Sequence, residues 1–103
     1  PARFVIHTVG PVYRGGTHGE AELLSSCYVQ SLTLAMGADL STVAFPCIST
    51  GAYGYPKPAA CDIAVEAVAE WSRANELPRT VMFCCYDATD ANMYRDRLAD
   101  LDT

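Results

Sequence analysis

A chain of 103 residues has room for one domain, which at this size can bury roughly two thirds of the surface its unfolded form exposes. Half of the residues are apolar and 18% are charged, which excludes a disordered tail. The net charge of -5, with Lys and Arg scattered, excludes the basic stripe of a duplex nucleic-acid binder. No apolar run approaches the roughly 20 residues of a membrane helix and no basic-then-apolar leader opens the sequence, so a soluble, cytoplasmic protein without a membrane partner is expected.

Arg3 to Val9 is short and β-branched and ends at Gly10-Pro11, which predicts a first strand leading into a loop through Gly15-Gly16. Its apolar residues are consecutive, as in a parallel strand covered on both faces. From about Glu20 to Met36, the positions Leu23, Leu24, Cys27, Tyr28, Ser31, Leu32 and Ala35 share one helical face, with Glu20 and Glu22 near the N-terminus and Gly37 as the stop. Thr42 to Phe45 predicts a second buried strand, and Pro46 should end its pairing. A second amphipathic helix is expected from about Pro58 to Asn75 through Ile63, Ala64, Ala67, Val68 and Trp71. Thr80 to Tyr86 predicts a third strand. Asp87 to Thr89 then supplies cap chemistry for a last helix with Met93, Tyr94 and Leu98, Tyr94 and Arg95 being assigned to its surface. The expected order is β-α-β-α-β-α, a largely parallel sheet with helices on its faces, and ligands in such sheets collect at the carboxyl ends of the strands.

The loop that meets this edge after Phe45 is Ser49-Thr50-Gly51-Ala52-Tyr53-Gly54-Tyr55-Pro56. Two glycines let backbone amides converge, and a following helix adds unpaired N–H groups, which together make a phosphate cradle. A Walker loop fails because Lys57 stands between Pro56 and Pro58, and a dinucleotide fingerprint fails for want of a third glycine. Position 53 is tyrosine where a cysteine phosphatase loop starting at Cys47 needs arginine, and Ser49 lacks the first glycine of a hydrolase elbow. What survives is an uncharged cradle from Ser49 to Tyr53 with rings at Tyr53 and Tyr55, suited to a nucleotide with a diphosphate and a sugar; the competing reading is an ordinary Gly-Tyr-Pro turn. Tyr86 reads either as a ring for a base or as a core tyrosine, Asp87 as a base contact or, more safely, a helix cap, and His7 as a structural mid-strand histidine. Cys27, Cys47, Cys61, Cys84 and Cys85 have no metal-ligand spacing to each other or to His7 and His18, so they read as reduced, mostly buried thiols with no metal.

His7-Thr8-Val9-Gly10-Pro11-Val12-Tyr13, the block from Val43 to Pro56, and Cys85-Tyr86-Asp87 with Tyr94 resemble the second half of a macro domain, nearest to the bacterial O-acetyl-ADP-ribose deacetylase type. The resemblance spans the whole chain as one domain, residues 1–103, and implies the C-terminal portion of a three-layer α/β/α fold. It implies that Ser49, Thr50, Gly51, Ala52, Tyr53 and Gly54 wrap the diphosphate and ribose of ADP-ribose or O-acetyl-ADP-ribose, with Tyr53 at the distal ribose where the linkage is cut. Pro46 and Ile48 then shape the pocket wall, Tyr86 and Asp87 lie on the adenine side, and neither metal nor other cofactor is required. The family's earlier strands, its Asn-Ala-Ala-Asn segment and its glycine-rich acidic loop are not in this sequence, so expected catalytic residues are missing. The implied activities are release of acetate from O-acetyl-ADP-ribose or of ADP-ribose from modified acidic side chains of proteins. A non-catalytic reader and an inactive truncated fragment are the alternatives.

Overall fold

The computed structural model describes residues 3–101. Its elements run α1 (Glu20–Gly37), β1 (Thr42–Pro46), α2 (Lys57–Ala74), β2 (Thr80–Cys84) and α3 (Ala88–Asp100). The strands pair in parallel, with Val43 opposite Val81 and Phe45 opposite Phe83. A helix joins them, as a parallel connection requires.

The expected α/β class is therefore present, but its first strand is not. Residues 4–9 make no ladder hydrogen bond among the described residues, and Phe4, Val5 and Val9 are exposed. Strand propensity needs a partner backbone to become a strand. His7, expected to be structural within that strand, is exposed in the same segment.

The pattern of burial also departs from coverage on both faces. Val43, Phe45, Val81 and Phe83 turn toward the core, whereas Ala44 and Met82 between them are exposed. All three helices join one core with the first set. Tyr28 of α1 meets Phe45 with ring centroids 4.9 Å apart, and Tyr94 of α3 meets Phe83 at the same distance. Cys61, Ala64, Val65 and Val68 of α2 complete it. Among the described residues the helices cover one face of the sheet, and Ala44 and Met82 on the other are exposed.

Local chemistry explains the element ends. Asp87 caps α3 by accepting a hydrogen bond from the Asp90 N–H at 2.9 Å, the safer of its two sequence readings. Pro58 stands in the first turn of α2, where its missing N–H has no intrahelical acceptor to lose. α1 closes differently from expectation: Gly37 is its last residue, and the left-handed position falls two residues later, at Asp39 with φ 60°. Aspartate is one of the few non-glycine types that tolerates that region.

Candidate functional site

The segment from Cys47 to Pro56 links the end of β1 to the start of α2 and folds on its own backbone. The Tyr55 N–H donates to the Ser49 carbonyl at 2.9 Å and the Gly54 N–H to the Gly51 carbonyl at 3.0 Å, while the Thr50 hydroxyl reaches back to the Cys47 carbonyl. Ser49 itself takes a left-handed φ of 66° and Gly54 one of 72°. These closures leave the N–H groups of Ser49, Thr50, Gly51, Ala52 and Tyr53 donating to no acceptor among the described residues. The Ser49 Oγ is buried and has no hydrogen-bond partner among them either. Five successive N–H donors and an unpartnered hydroxyl on one short loop are groups that can donate to a polar, oxygen-rich ligand.

The cradle carries no cation of its own. Lys57, the nearest basic residue in sequence, is drawn to Asp90 at 3.2 Å, and the hydrogen bond to that carboxylate raises the lysine pKa. Gly51 has open space around it: a Cβ there meets nothing within 4 Å, so the turn itself does not demand glycine.

Three residues outside the loop hold it, and the sequence reading of the site had omitted them. Gly10 approaches so closely that a Cβ on it would lie 2.2 Å from Ser49 Oγ. The Tyr13 N–H donates to the Tyr53 carbonyl at 2.9 Å, and its ring packs on Tyr55 at 4.9 Å. Glu20, 2% exposed at the start of α1, accepts from the N–H groups of Arg14, Gly16 and His18 and so pins the segment bearing Tyr13. Those bonds, that of Arg14 first, outweigh burial and lower its pKa from 4.5 to about 2. The glycine and tyrosine of Gly10-Pro11-Val12-Tyr13 were visible as a motif; their contacts, some 40 positions away, were not.

The other anticipated residues are distributed around this loop. Pro46 closes β1, Ile48 is half-buried beside Gly10, and Tyr53 is 41% exposed. Ser49 and Tyr53 line one end of a groove of about 760 Å³ that continues between residues 4–10 and β1. Tyr86 follows β2 and is 97% exposed, so it is no core tyrosine; Tyr94 is, being 6% exposed rather than on the helix surface. Burial moves the Tyr94 and Cys85 pKa values upward and that of Cys61 up to about 11. Of the cysteines, Cys27 and Cys61 are buried, Cys47 and Cys85 half-buried and Cys84 exposed, all as free thiols.

A sequence profile described as Macro domain matches residues 1–64, more than half of the chain. The chain belongs to the macro domain family. This macro-domain chain is 50% identical over 94 residues to the O-acetyl-ADP-ribose deacetylase of Escherichia coli K12, covering 91% of this chain and 53% of that protein. It superposes on the Oceanobacillus iheyensis macrodomain with a TM-score of 0.93 and 36% identity, over 99% of this chain and 53% of that one. The Trypanosoma brucei macrodomain in complex with ADP-ribose matches with a TM-score of 0.79 and 31% identity, over 89% and 38%. The macro-domain chain spans about half the length of the relatives it matches.

Proposed function

We propose that the loop from Ser49 to Gly54 is the diphosphate and distal-ribose wall of an ADP-ribose site, and that the whole macro domain hydrolyses esters of ADP-ribose. The observation that carries this reading is the run of five undonated backbone N–H groups from Ser49 to Tyr53 beside the unpartnered Ser49 hydroxyl. A diphosphate offers several acceptor oxygens to such a loop, and the chain's relatives include an O-acetyl-ADP-ribose deacetylase and a macrodomain complexed with ADP-ribose.

In the reaction, water adds to the acetyl carbon, the ester C–O bond breaks toward the ribose, and the ribose oxygen regains a proton, giving ADP-ribose and acetate. Tyr53 stands at the end of the loop, part-exposed, with its main chain fixed by Tyr13; its role is to position the distal ribose and the attacking water. Pro46 and Ile48 wall the pocket, and Tyr86 and Asp87 take the adenine side, the exposed Tyr86 ring being free to stack on a base. The same chemistry would release ADP-ribose from acidic side chains of modified proteins. The cytoplasm is the expected compartment; no helix among the described residues is long and apolar enough to cross a membrane.

A second reading, a non-catalytic reader of ADP-ribosylated proteins, is favoured by one observation. No general base touches Ser49 or Tyr53 through a hydrogen bond among the described residues. Acetate release from O-acetyl-ADP-ribose by the whole domain separates the two. Turnover lost in Tyr53→Ala with ADP-ribose affinity largely retained supports hydrolysis, and tight binding without acetate release supports the reader.

A further inference from the structure

The core face of the two strands is built of facing pairs. Val43 stands opposite Val81 and Phe45 opposite Phe83, and all four pack on the helices. Side chains alternate along a strand, so the next pair on that face, one step past the last rung at Pro46 and Cys84, is Cys47 with Cys85. Both cysteines pack against the same core. The Cys47 Sγ lies 4.0 Å from the Cys84 carbonyl oxygen, on the peptide group that leads into Cys85, and the two thiols share a hydrogen bond. Burial first and the neighbouring Cys47 sulfur second push the Cys85 thiol pKa up, as two sulfurs in close approach require.

The spacing suits a covalent link. Neighbouring strands run roughly 4.8 Å apart, inside the Cα separation of about 4.4–6.8 Å that a disulfide spans. The Cβ atoms must close to about 3.5–4.5 Å, and the chain can give there, because strand pairing stops at Pro46, which has no N–H to hold it. The other thiols are placed worse. Cys84 falls on the opposite face by alternation and is exposed, Cys61 is fully buried in α2, and the Cys27 thiol in α1 donates to the Val9 carbonyl. A small cleft lined by Cys47, Thr50, Lys57, Asp90, Met93 and Tyr94 reaches Cys47 and not Cys85, and its Lys57 wall is half-exposed. Cys47 is therefore the sulfur that meets a small solute first.

We propose that Cys47 and Cys85 are a redox pair that closes to a disulfide when the chain meets a peroxide. The Cys47 thiolate attacks one peroxide oxygen, the O–O bond breaks, and the departing hydroxide takes up a proton, leaving Cys47 as a sulfenic acid. The Cys85 thiolate then attacks the Cys47 sulfur; the S–S bond forms, the S–O bond breaks, and the hydroxide leaves as water. Two thiols give up two electrons, the peroxide accepts them, and two waters result. The bond ties the root of the loop that starts at Ser49 to the chain entering Tyr86 and Asp87. Its formation requires no nucleotide, so it is independent of the reading of that loop as a diphosphate site.

The test treats the folded 103-residue chain with hydrogen peroxide, denatures it in iodoacetamide to block the remaining thiols, and maps the products by non-reducing digestion and tandem mass spectrometry. Of five cysteines, two should be joined as a Cys47–Cys85 link within one chain and three blocked, with all five blocked after dithiothreitol. Cys47→Ser and Cys85→Ser should each lose the link and Cys84→Ser should keep it, with thermal melts checking that each variant folds. A bond from Cys47 to Cys61 or Cys84, links between chains only, sulfinic acid on Cys47 with Cys85 still blocked, or five blocked thiols after peroxide would each overturn the proposal.

Discussion

Gly10 and Ser49 lie in such close approach that a Cβ on the glycine would sit 2.2 Å from the serine Oγ and 2.5 Å from Ile48 Cγ2. Gly10 has no positive φ, so the requirement comes from its neighbour and not from its own backbone. Gly10→Ala should force the start of the loop from Ser49 outward and destabilise the fold by about 1–3 kcal/mol, as overpacking commonly does. Urea unfolding measures the loss. A variant as stable as the parent would mean that Ser49 and Ile48 yield without resistance.

Gly51→Val should behave in the opposite way. With nothing within 4 Å of the added Cβ, the melting temperature should stay near that of the parent, while the proposed diphosphate site at this turn calls for a fall in affinity for ADP-ribose. Calorimetry and a thermal melt on the same sample check both halves. Unchanged affinity would move the ligand away from this turn.

Glu20 gives a pH signature. Its pKa is lowered from 4.5 to about 2 in the folded chain, so its contribution to stability is complete above pH 4.5 and is lost as pH falls through about 2. Glu20→Gln should therefore melt below the parent at pH 6, with the difference closing between pH 4.5 and 2. A pH-independent difference would show that the carboxylate charge is not what holds Arg14, Gly16 and His18.

Phe45 packs on both Tyr28 and Phe83 and is 4% exposed, so Phe45→Ala removes the nearer of the two strand rings that meet Tyr28 of α1. The expected loss is about 3–5 kcal/mol, a large share of the stability of a domain this size. Chemical denaturation would reveal it, and a loss below about 1 kcal/mol would mean that the core closes over the gap.

The regular elements were legible where their signals are local. The helix from Glu20, the one after Pro56, the strands at Thr42 and Thr80 and the Asp87 cap all follow from periodicity, proline placement and short polar side chains. Residues 4–9 carry an equally good strand signal and form none, because pairing depends on a second backbone that no local pattern reports. For the same reason Tyr94, assigned by position to the helix surface, is buried, and Tyr86, open between a core and a base-stacking reading, is exposed, since burial is decided by which ring meets Phe83. At the site, the glycines and rings of the loop were readable, whereas Gly10, Tyr13 and Glu20 act through contacts between distant segments.

The most direct measurement for the central claim is an amide-resolved NMR titration of the chain with ADP-ribose, alongside pyrophosphate and adenosine. The account expects ADP-ribose and pyrophosphate to shift the amides of Ser49, Thr50, Gly51, Ala52 and Tyr53, the N–H groups left without acceptors, and adenosine to leave them in place. Shifts confined to other segments, or an adenosine response equal to that of ADP-ribose at these five amides, would contradict it.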